Sequence, residues 1–177
     1  MKPFIAGKKV ELRPFTSDLF SEKYLEWLND PEVNEYSRRL IGPTNDLSSR
    51  KFIDCLGQDE HILAIFLKGS GEHVGNIQFG SINWKDSCAE IRIVVGDKNV
   101  WGKGVGTEAI YLVTKHLFEV AGLNRVEANT CNPAFEKCMS KLGWTKEGTM
   151  RQKFYLNKKF HDYHFYSILA KDFLVID

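Results

Sequence analysis

Apolar and polar positions along the chain form patterns that predict a sheet with helices between its strands. Residues 8–15 alternate apolar and polar side chains, which predicts a first strand. Residues 61–68 are almost continuously apolar, as in a central strand, and short turns join them to strands at 73–84 and 88–96. These short links predict three adjacent antiparallel strands.

Helical spacing of apolar residues marks the segments around those strands. Residues 16–18 offer an N-cap for a helix that stops at residues 29–31, and a short second helix is predicted up to Tyr36. Another helix is predicted at 48–56. The pattern at 105–121 predicts a longer helix, and Asn132 with Pro133 begins one more at 132–142. One face of the longer helix carries Val105, Ala109, Val113, Leu117 and Val120.

The last third of the chain adds a strand at 125–131 and a hairpin whose strands lie around 150–155 and at 162–169. The element order is then β-α-α-β-β-β-α-β-α-β-β. We therefore predict one α/β (α+β) domain over residues 1–177. Its central sheet is mixed, mostly antiparallel and seven-stranded, with about four to five helices around it.

Composition narrows the classes of protein rather than identifying one. The net charge of +1 gives no general attraction to nucleic acid or membrane, and no apolar run is long enough for a membrane helix. None of the four cysteines forms a CxxC pair, so we expect free thiols in a reducing cytoplasm. His161 and His164 would face opposite sides of a strand, so we expect no metal site.

The stretch at 91–108, IRIVVGDKNVWGKGVGTE, is the most informative part of the chain. A predicted strand is followed by Gly102, Gly104 and Gly106 and then by a helix, an arrangement in which backbone N–H groups and the helix dipole attract an anion. The spacing fits neither a Walker A loop nor the GxGxxG dinucleotide fingerprint.

The glycine stretch resembles the coenzyme-A loop of the GNAT superfamily of N-acetyltransferases, written Q/R-x-x-G-x-G/A. Trp101 replaces the usual Gln or Arg, as in the branch that acetylates ribosomal-protein N-termini and small amines. The family pattern N-x-x-S-x-x-x-x-E-K-x-G-F also matches at Asn132 and at the pair Gly143-Trp144. The resemblance covers residues 8–173 and implies the GNAT fold.

The resemblance implies acetyl-CoA as co-substrate. The implied pyrophosphate loop consists of Trp101, Gly102, Lys103, Gly104, Val105, Gly106 and Thr107. The implied contacts to the pantetheine arm come from Ile93, Val94 and Val95, and Asn132 and Phe135 add contacts from the following helix.

Acetyl transfer requires a neutral amine, and a lysine-like amine with a pKa of about 10.4 pays roughly 4.6 kcal/mol to be neutral at pH 7. Glu90 is the candidate base, and the alternative is that it only pairs with Arg92 or a neighbouring strand. The acid stays open, because Phe135 and Met139 replace the usual Ser and Tyr. Tyr155 is the candidate acid. The other acids considered are Tyr163, Tyr166 and Cys138.

The acceptor side is less specific. The piece WLNDPEVNEY resembles the acceptor region of the same branch, so Trp27 and Tyr36 are candidate substrate residues, or else packed aromatics. Arg38 and Arg39 would suit an acidic substrate, or are solvated charge.

Three functions remain open. The acceptor is a small-molecule amine, such as an amino sugar nucleotide, or the α-amine of a ribosomal or other protein. The third alternative is an acyl-CoA-binding sensor without turnover. We expect a monomer or homodimer.

Overall fold

One eight-stranded sheet forms the centre of the molecule. The computed structural model describes residues 2–37, 45, 50–51, 57 and 59–174. The strands are β1 (Ile5–Ala6), β2 (Val10–Pro14), β3 (His61–Leu67), β4 (His73–Asn83), β5 (Cys88–Val95), β6 (Arg125–Thr130), β7 (Thr145–Leu156) and β8 (Lys159–Leu169). Their order is β1-β2-β3-β4-β5-β6-β8-β7, and β5 and β6 run parallel while the other neighbours are antiparallel. The predicted mixed, mostly antiparallel sheet is confirmed.

Three α-helices lie within the described residues: α1 (Glu22–Asn29), α2 (Val105–Glu119) and α3 (Pro133–Lys141). Short 3-10 turns occur at Ser17–Leu19, Lys98–Val100 and Ala170–Asp172. The predicted helix at 48–56 falls mostly outside the described residues, so four to five helices cannot be counted against these three. Within the described residues, no helix combines the length and the apolar character that crossing a bilayer requires.

Helix α2 packs on one face of the sheet through the residues that the periodicity selects. Val105, Ala109, Val113 and Leu117 are all buried against the strands. Val120 is the exception, because the helix ends at Glu119 and leaves that side chain exposed. The helical period therefore identifies the buried face correctly and overestimates the helix length.

Helix α1 covers the opposite face with a small cluster of Tyr24, Trp27 and Leu28. Its N-cap is Ser21, whose Oγ accepts a hydrogen bond from Tyr24 N (3.2 Å). The cap predicted at residues 16–18 is wrong, because those residues begin a 3-10 turn instead. The short helix predicted up to Tyr36 is also wrong, since residues 31–36 form turns.

Two more differences concern strands. The sheet has an eighth strand because Ile5 and Ala6 pair with β2, and two residues are too few to show alternation. Strand β7 is longer than predicted, and its hairpin to β8 turns at Asn157 and Lys158, which both have positive φ (50° and 59°). That turn lies between the two segments predicted as strands, around 150–155 and at 162–169.

Candidate active site

A cavity opens where the two parallel strands separate. Their pairing ends at Glu90 and Glu127, and beyond that point β5 and β6 diverge. The resulting space has a volume of about 1260 Å³. Residues 92–95 of β5 line one side, and Asn129 and Thr130 of β6 line the other. The divergence leaves backbone groups of β5 without partners on β6, which makes them available to a bound molecule.

The glycine loop forms one end of this cavity. Gly104 is the N-cap residue of α2 and has φ +87°, and Gly102 has φ +73°, a conformation that favours glycine at both positions. The indole Nε1 of Trp101 donates to Val95 O (2.8 Å), which ties the loop to the end of β5. The predicted loop residues line the cavity except Lys103, which is exposed.

The open space at the start of α2 suits a phosphate group. A Cβ placed on Gly106 would find Val95 Cγ2 at 3.5 Å as its nearest neighbour, so packing against the protein does not require glycine there. The space that such a Cβ would fill lies over the first turn of α2, where N–H groups lack intrahelical partners. The residues present therefore fit an anion such as the pyrophosphate of coenzyme A.

Ile93, Val94 and Val95 line the cavity beside the loop, and Phe135 and Asn132 line it from α3. Asn132 caps that helix through its Oδ1, which accepts from Ala134 N (2.9 Å), so its predicted role at the helix start is confirmed. The cofactor contacts of these five residues stay predictions.

Glu90, the predicted base, does not line the cavity, but its two partners do. Arg92 Nη2 donates to Glu90 Oε2 (2.6 Å), and Asn129 Nδ2 donates to Oε1 (3.4 Å). The pairing with Arg92 that the sequence left open is therefore present. The catalytic role of Glu90 stays a prediction.

Glu60 contacts two residues of the cavity lining, Gln78 and Arg92, and the sequence did not indicate it. Its Oε2 accepts from Gln78 Nε2 (2.6 Å), its Oε1 accepts from Ser81 N (2.8 Å), and Arg92 Nη1 lies 3.9 Å away. Burial raises the pKa of the Glu60 carboxyl, but these hydrogen bonds and the charge of Arg92 outweigh it and lower the pKa overall. Arg92 thus lies between two carboxylates.

A row of polar side chains crosses the sheet face that α1 covers in part. Asn76 and Gln78 on β4 lie opposite Val94 and Arg92 on β5, and Asn129 follows on β6. Asn76, Gln78, Arg92 and Asn129 all line the cavity. In the sequence, Asn76 and Gln78 could have been recognised as polar residues at alternate positions of β4, which is otherwise largely apolar.

The predicted acid, Tyr155, lies elsewhere. It is 62% exposed near the tip of the β7–β8 hairpin, where its ring packs on Phe160 (centroids 4.9 Å apart), and it does not line the cavity. Tyr166 does not line the cavity either. Its hydroxyl donates to Glu136 Oε2 (2.8 Å), and burial and that carboxylate raise its pKa to about 12. Tyr163 does line the cavity, and its hydroxyl donates to Asn129 O (3.2 Å).

Of the two aromatic residues predicted to bind the acceptor, one lines the cavity and the other does not. Trp27 is 7% exposed and packs beside His73 and under Gly96, where a Cβ would overlap its indole, so it is a packing residue outside the cavity lining. Tyr36 lines the cavity, and burial together with the charge of Glu35 raises its pKa. Arg38 and Arg39 lie outside the described residues.

The comparisons with known proteins agree with this geometry. The acetyltransferase (GNAT) domain family matches residues 9–145. The uncharacterized N-acetyltransferase YoaA of Bacillus subtilis (strain 168) is 34% identical over 175 residues, covering 96% of this chain and 98% of its own.

Two solved structures show the same fold at lower identity. RimL, a ribosomal L7/L12 alpha-N-protein acetyltransferase in complex with coenzyme A, has a TM-score of 0.82 at 20% identity, over 95% of this chain and 98% of its own. Spermidine N-acetyltransferase from Vibrio cholerae, in complex with CoA and spermine, has a TM-score of 0.80 at 18% identity, over 94% and 98%. The chain therefore belongs to the GNAT acetyltransferase family and is an acetyl-CoA-dependent N-acetyltransferase.

Proposed function

We propose that the protein transfers the acetyl group to a primary amine by direct attack in a ternary complex, and that residues 1–177 form one domain for this purpose. The observation that carries the proposal is the shared cavity, because the glycine loop and the polar face of the sheet line the same space. Both substrates can be held there together, so the amine reaches the thioester without an acyl-enzyme intermediate.

The cofactor end would be held mainly by the backbone. N–H groups of residues 102–107 would bind the pyrophosphate, and Ile93, Val94 and Val95 would bind the pantetheine arm. Acetyl-CoA, when bound, supplies the activated thioester. A backbone N–H near Val94 or Val95 would donate to the developing oxyanion, a contribution of roughly 3 kcal/mol for a well-placed donor.

Glu90 would accept the proton from the acceptor amine. Arg92 Nη2 donates to its Oε2 (2.6 Å), which fixes the orientation of the carboxylate. Because Glu90 does not line the cavity, we propose that the proton reaches it through one water. Tyr163 replaces Tyr155 as the candidate acid, since Tyr163 lines the cavity and Tyr155 does not.

The acceptor is proposed to be a small polar amine, such as an amino sugar or its nucleotide. Three carboxamides, Asn76, Gln78 and Asn129, present both donors and acceptors beside the guanidinium of Arg92. Such a surface suits a molecule that is rich in hydroxyl and carbonyl groups. Tyr36 and Phe165 on the same lining offer flat apolar surfaces for a ring.

A second candidate acceptor is the α-amine of a protein. The cavity exceeds the roughly 300–1,000 Å³ of most small-molecule pockets, which leaves room for an extended peptide beside the cofactor. Deprotonating an α-amine with a pKa near 8 also costs only about 1.4 kcal/mol at pH 7, so this acceptor depends less on a base.

Release of free thiol from acetyl-CoA with a panel of amines tests these proposals. The panel contains amino sugars, their nucleotides, polyamines and peptides with free N-termini. Turnover on amino sugars supports the first acceptor, and turnover on peptides alone supports the second. Tight CoA binding without turnover on any amine contradicts the enzyme mechanism and supports the sensor alternative.

A further inference from the structure

The turn between β1 and β2 is bonded to the start of α2, about a hundred residues away. The carboxylate of Glu108 accepts from Lys8 N (Oε1, 2.5 Å) and from Lys9 N (Oε2, 2.9 Å). In the opposite direction, Lys9 Nζ donates to Lys103 O (3.0 Å) in the glycine loop. These bonds form a closed connection between Lys9, Glu108 and the loop.

The fit on both sides of this connection is tight. A Cβ on Gly7 would lie 2.7 Å from Glu108 Oε1 and 2.8 Å from Leu112 Cδ1. A Cβ on Gly104 would lie 3.1 Å from Lys9 Nζ. The turn therefore lies directly against the first turns of α2, and the Lys9 ammonium lies directly against the loop.

The bond to Lys103 O fixes the orientation of one peptide group. A trans peptide is planar, and its C=O and N–H point in opposite directions. Because the Lys103 carbonyl points at Lys9, the N–H of Gly104 points away from Lys9, and Gly104 lines the cavity. No backbone acceptor within the described residues takes this N–H, whereas Lys103 N donates to Val100 O (3.3 Å).

We propose that Lys9 is a positioning residue that holds the Lys103–Gly104 peptide so that the Gly104 N–H points at the pyrophosphate of coenzyme A. Glu108 in turn holds the turn that carries Lys9. The inference rests on the proposed function, because it takes the loop to be the pyrophosphate site. Glycine at 104 permits other peptide orientations, so a separate contact is needed to select one.

The charges support the same arrangement. Glu108 places a negative charge in the first turn of α2, close to where an anion would bind. Its hydrogen bonds from the backbone N–H groups of Lys8 and Lys9 offset that charge in part, and the Lys9 ammonium adds a positive charge at the loop itself. The N–H groups at the start of α2 can then attract a phosphate.

The test compares Lys9→Met with Lys9→Arg, and uses Lys115→Met as a matched control. Lys115 lies on the outer part of α2, where its nearest carboxylate is Glu119 at 4.0 Å. In Lys9→Met we expect CoA affinity and the KM for acetyl-CoA to worsen about fivefold, with kcat within about twofold. Lys9→Arg and Lys115→Met should stay within about twofold of the unmodified protein.

A second readout uses the free protein. The amide resonance of Gly104, followed by ¹⁵N NMR without CoA, should move in Lys9→Met and remain in place in Lys115→Met. Unchanged CoA affinity or an unmoved Gly104 resonance in Lys9→Met overturns the inference alone. Absence of CoA binding by the unmodified protein overturns the proposed function together with the inference.

Discussion

The two faces of the central sheet differ in what they hold. On β5, Ala89 and Ile91 are buried under α2, while the alternate residues Glu90 and Arg92 point to the face that α1 covers in part. One face is closed and apolar, and the other is open and polar. The side chains of Ala89 and Ile91 therefore contribute to stability, and those of Glu90 and Arg92 contribute to the proposed chemistry.

The cavity depends on both faces of the sheet. The closed face fixes the position of α2, whose N-terminus forms the phosphate end of the cavity. The open face supplies Arg92 and the carboxamides at the other end. Substitutions on the closed face should consequently lower the free energy of unfolding, whereas substitutions on the open face should mainly lower the catalytic rate.

The largest expected effect is on the closed face. Ile91 is 1% exposed and packs in the main core, so Ile91→Ala should lower the free energy of unfolding by about 3 kcal/mol. Arg92→Ala, one residue further along, should lower it by less than about 1 kcal/mol, because its ion pairs are half-exposed. Urea unfolding of both variants measures the difference. Equal losses of stability would contradict the division between faces.

The second expected effect is on catalysis. Glu90→Gln should lower kcat about 100-fold with acetyl-CoA and the active amine, because a general base contributes roughly 10²–10⁴. Its matched control is Glu127→Gln, since Glu127 is paired in register with Glu90 but bonds to Arg125. Thiol-release kinetics measure both. A Glu90→Gln enzyme at full rate would remove Glu90 from the mechanism.

The sequence predicted the closed face better than the open one, because a buried helix face follows a local rule. Val105, Ala109, Val113 and Leu117 recur at helical spacing and are all buried. The glycine loop is also local, since two positive φ angles require glycine at 102 and 104.

The rest depends on contacts that periodicity does not contain. Glu60 precedes β3, and the register of three strands brings it beside Gln78 and Arg92. Tyr155 follows an irregular stretch of β7 between Met150 and Phe154, where Gln152 has φ +53°. Counting alternate residues does not give the correct face beyond such a bulge.

A smaller effect is expected at the acceptor end of the open face. Gln78→Leu should raise the KM for the acceptor about tenfold, because it removes a carboxamide from the cavity and leaves Glu60 without its shortest hydrogen bond. The KM for acetyl-CoA should stay within about twofold, which makes the cofactor an internal control.

The pKa of the Glu60 carboxyl provides a second measurement on the Gln78→Leu variant. Its pKa, now lowered in part by the bond from Gln78, should rise in Gln78→Leu, as ¹³C NMR of the carboxyl would show. A rise in the KM for acetyl-CoA equal to that for the acceptor would mean that Gln78 does not belong to a separate acceptor end.

The smallest expected effect is the pH dependence of stability at His73, beneath α1. Burial lowers the pKa of His73 below 6.5, and the charge of Lys23 acts in the same direction, against hydrogen bonds to Asn76 and Gly75 that raise it. Below pH 6.5 the unfolded chain therefore binds a proton that the folded protein does not. The free energy of unfolding should fall as pH drops from 6.5.

His73→Phe keeps a ring among Tyr24, Trp27 and Phe66 and should reduce that slope. It should not abolish it, because burial and the charge of His61 also lower the pKa of His116 on the closed face. Carboxyl groups with lowered pKa values, such as Glu60, titrate below 4.5, so unfolding between about pH 5 and 7.5 separates the histidines from them. An unchanged slope in His73→Phe, with a flat one in His116→Phe, would assign the whole effect to the closed face.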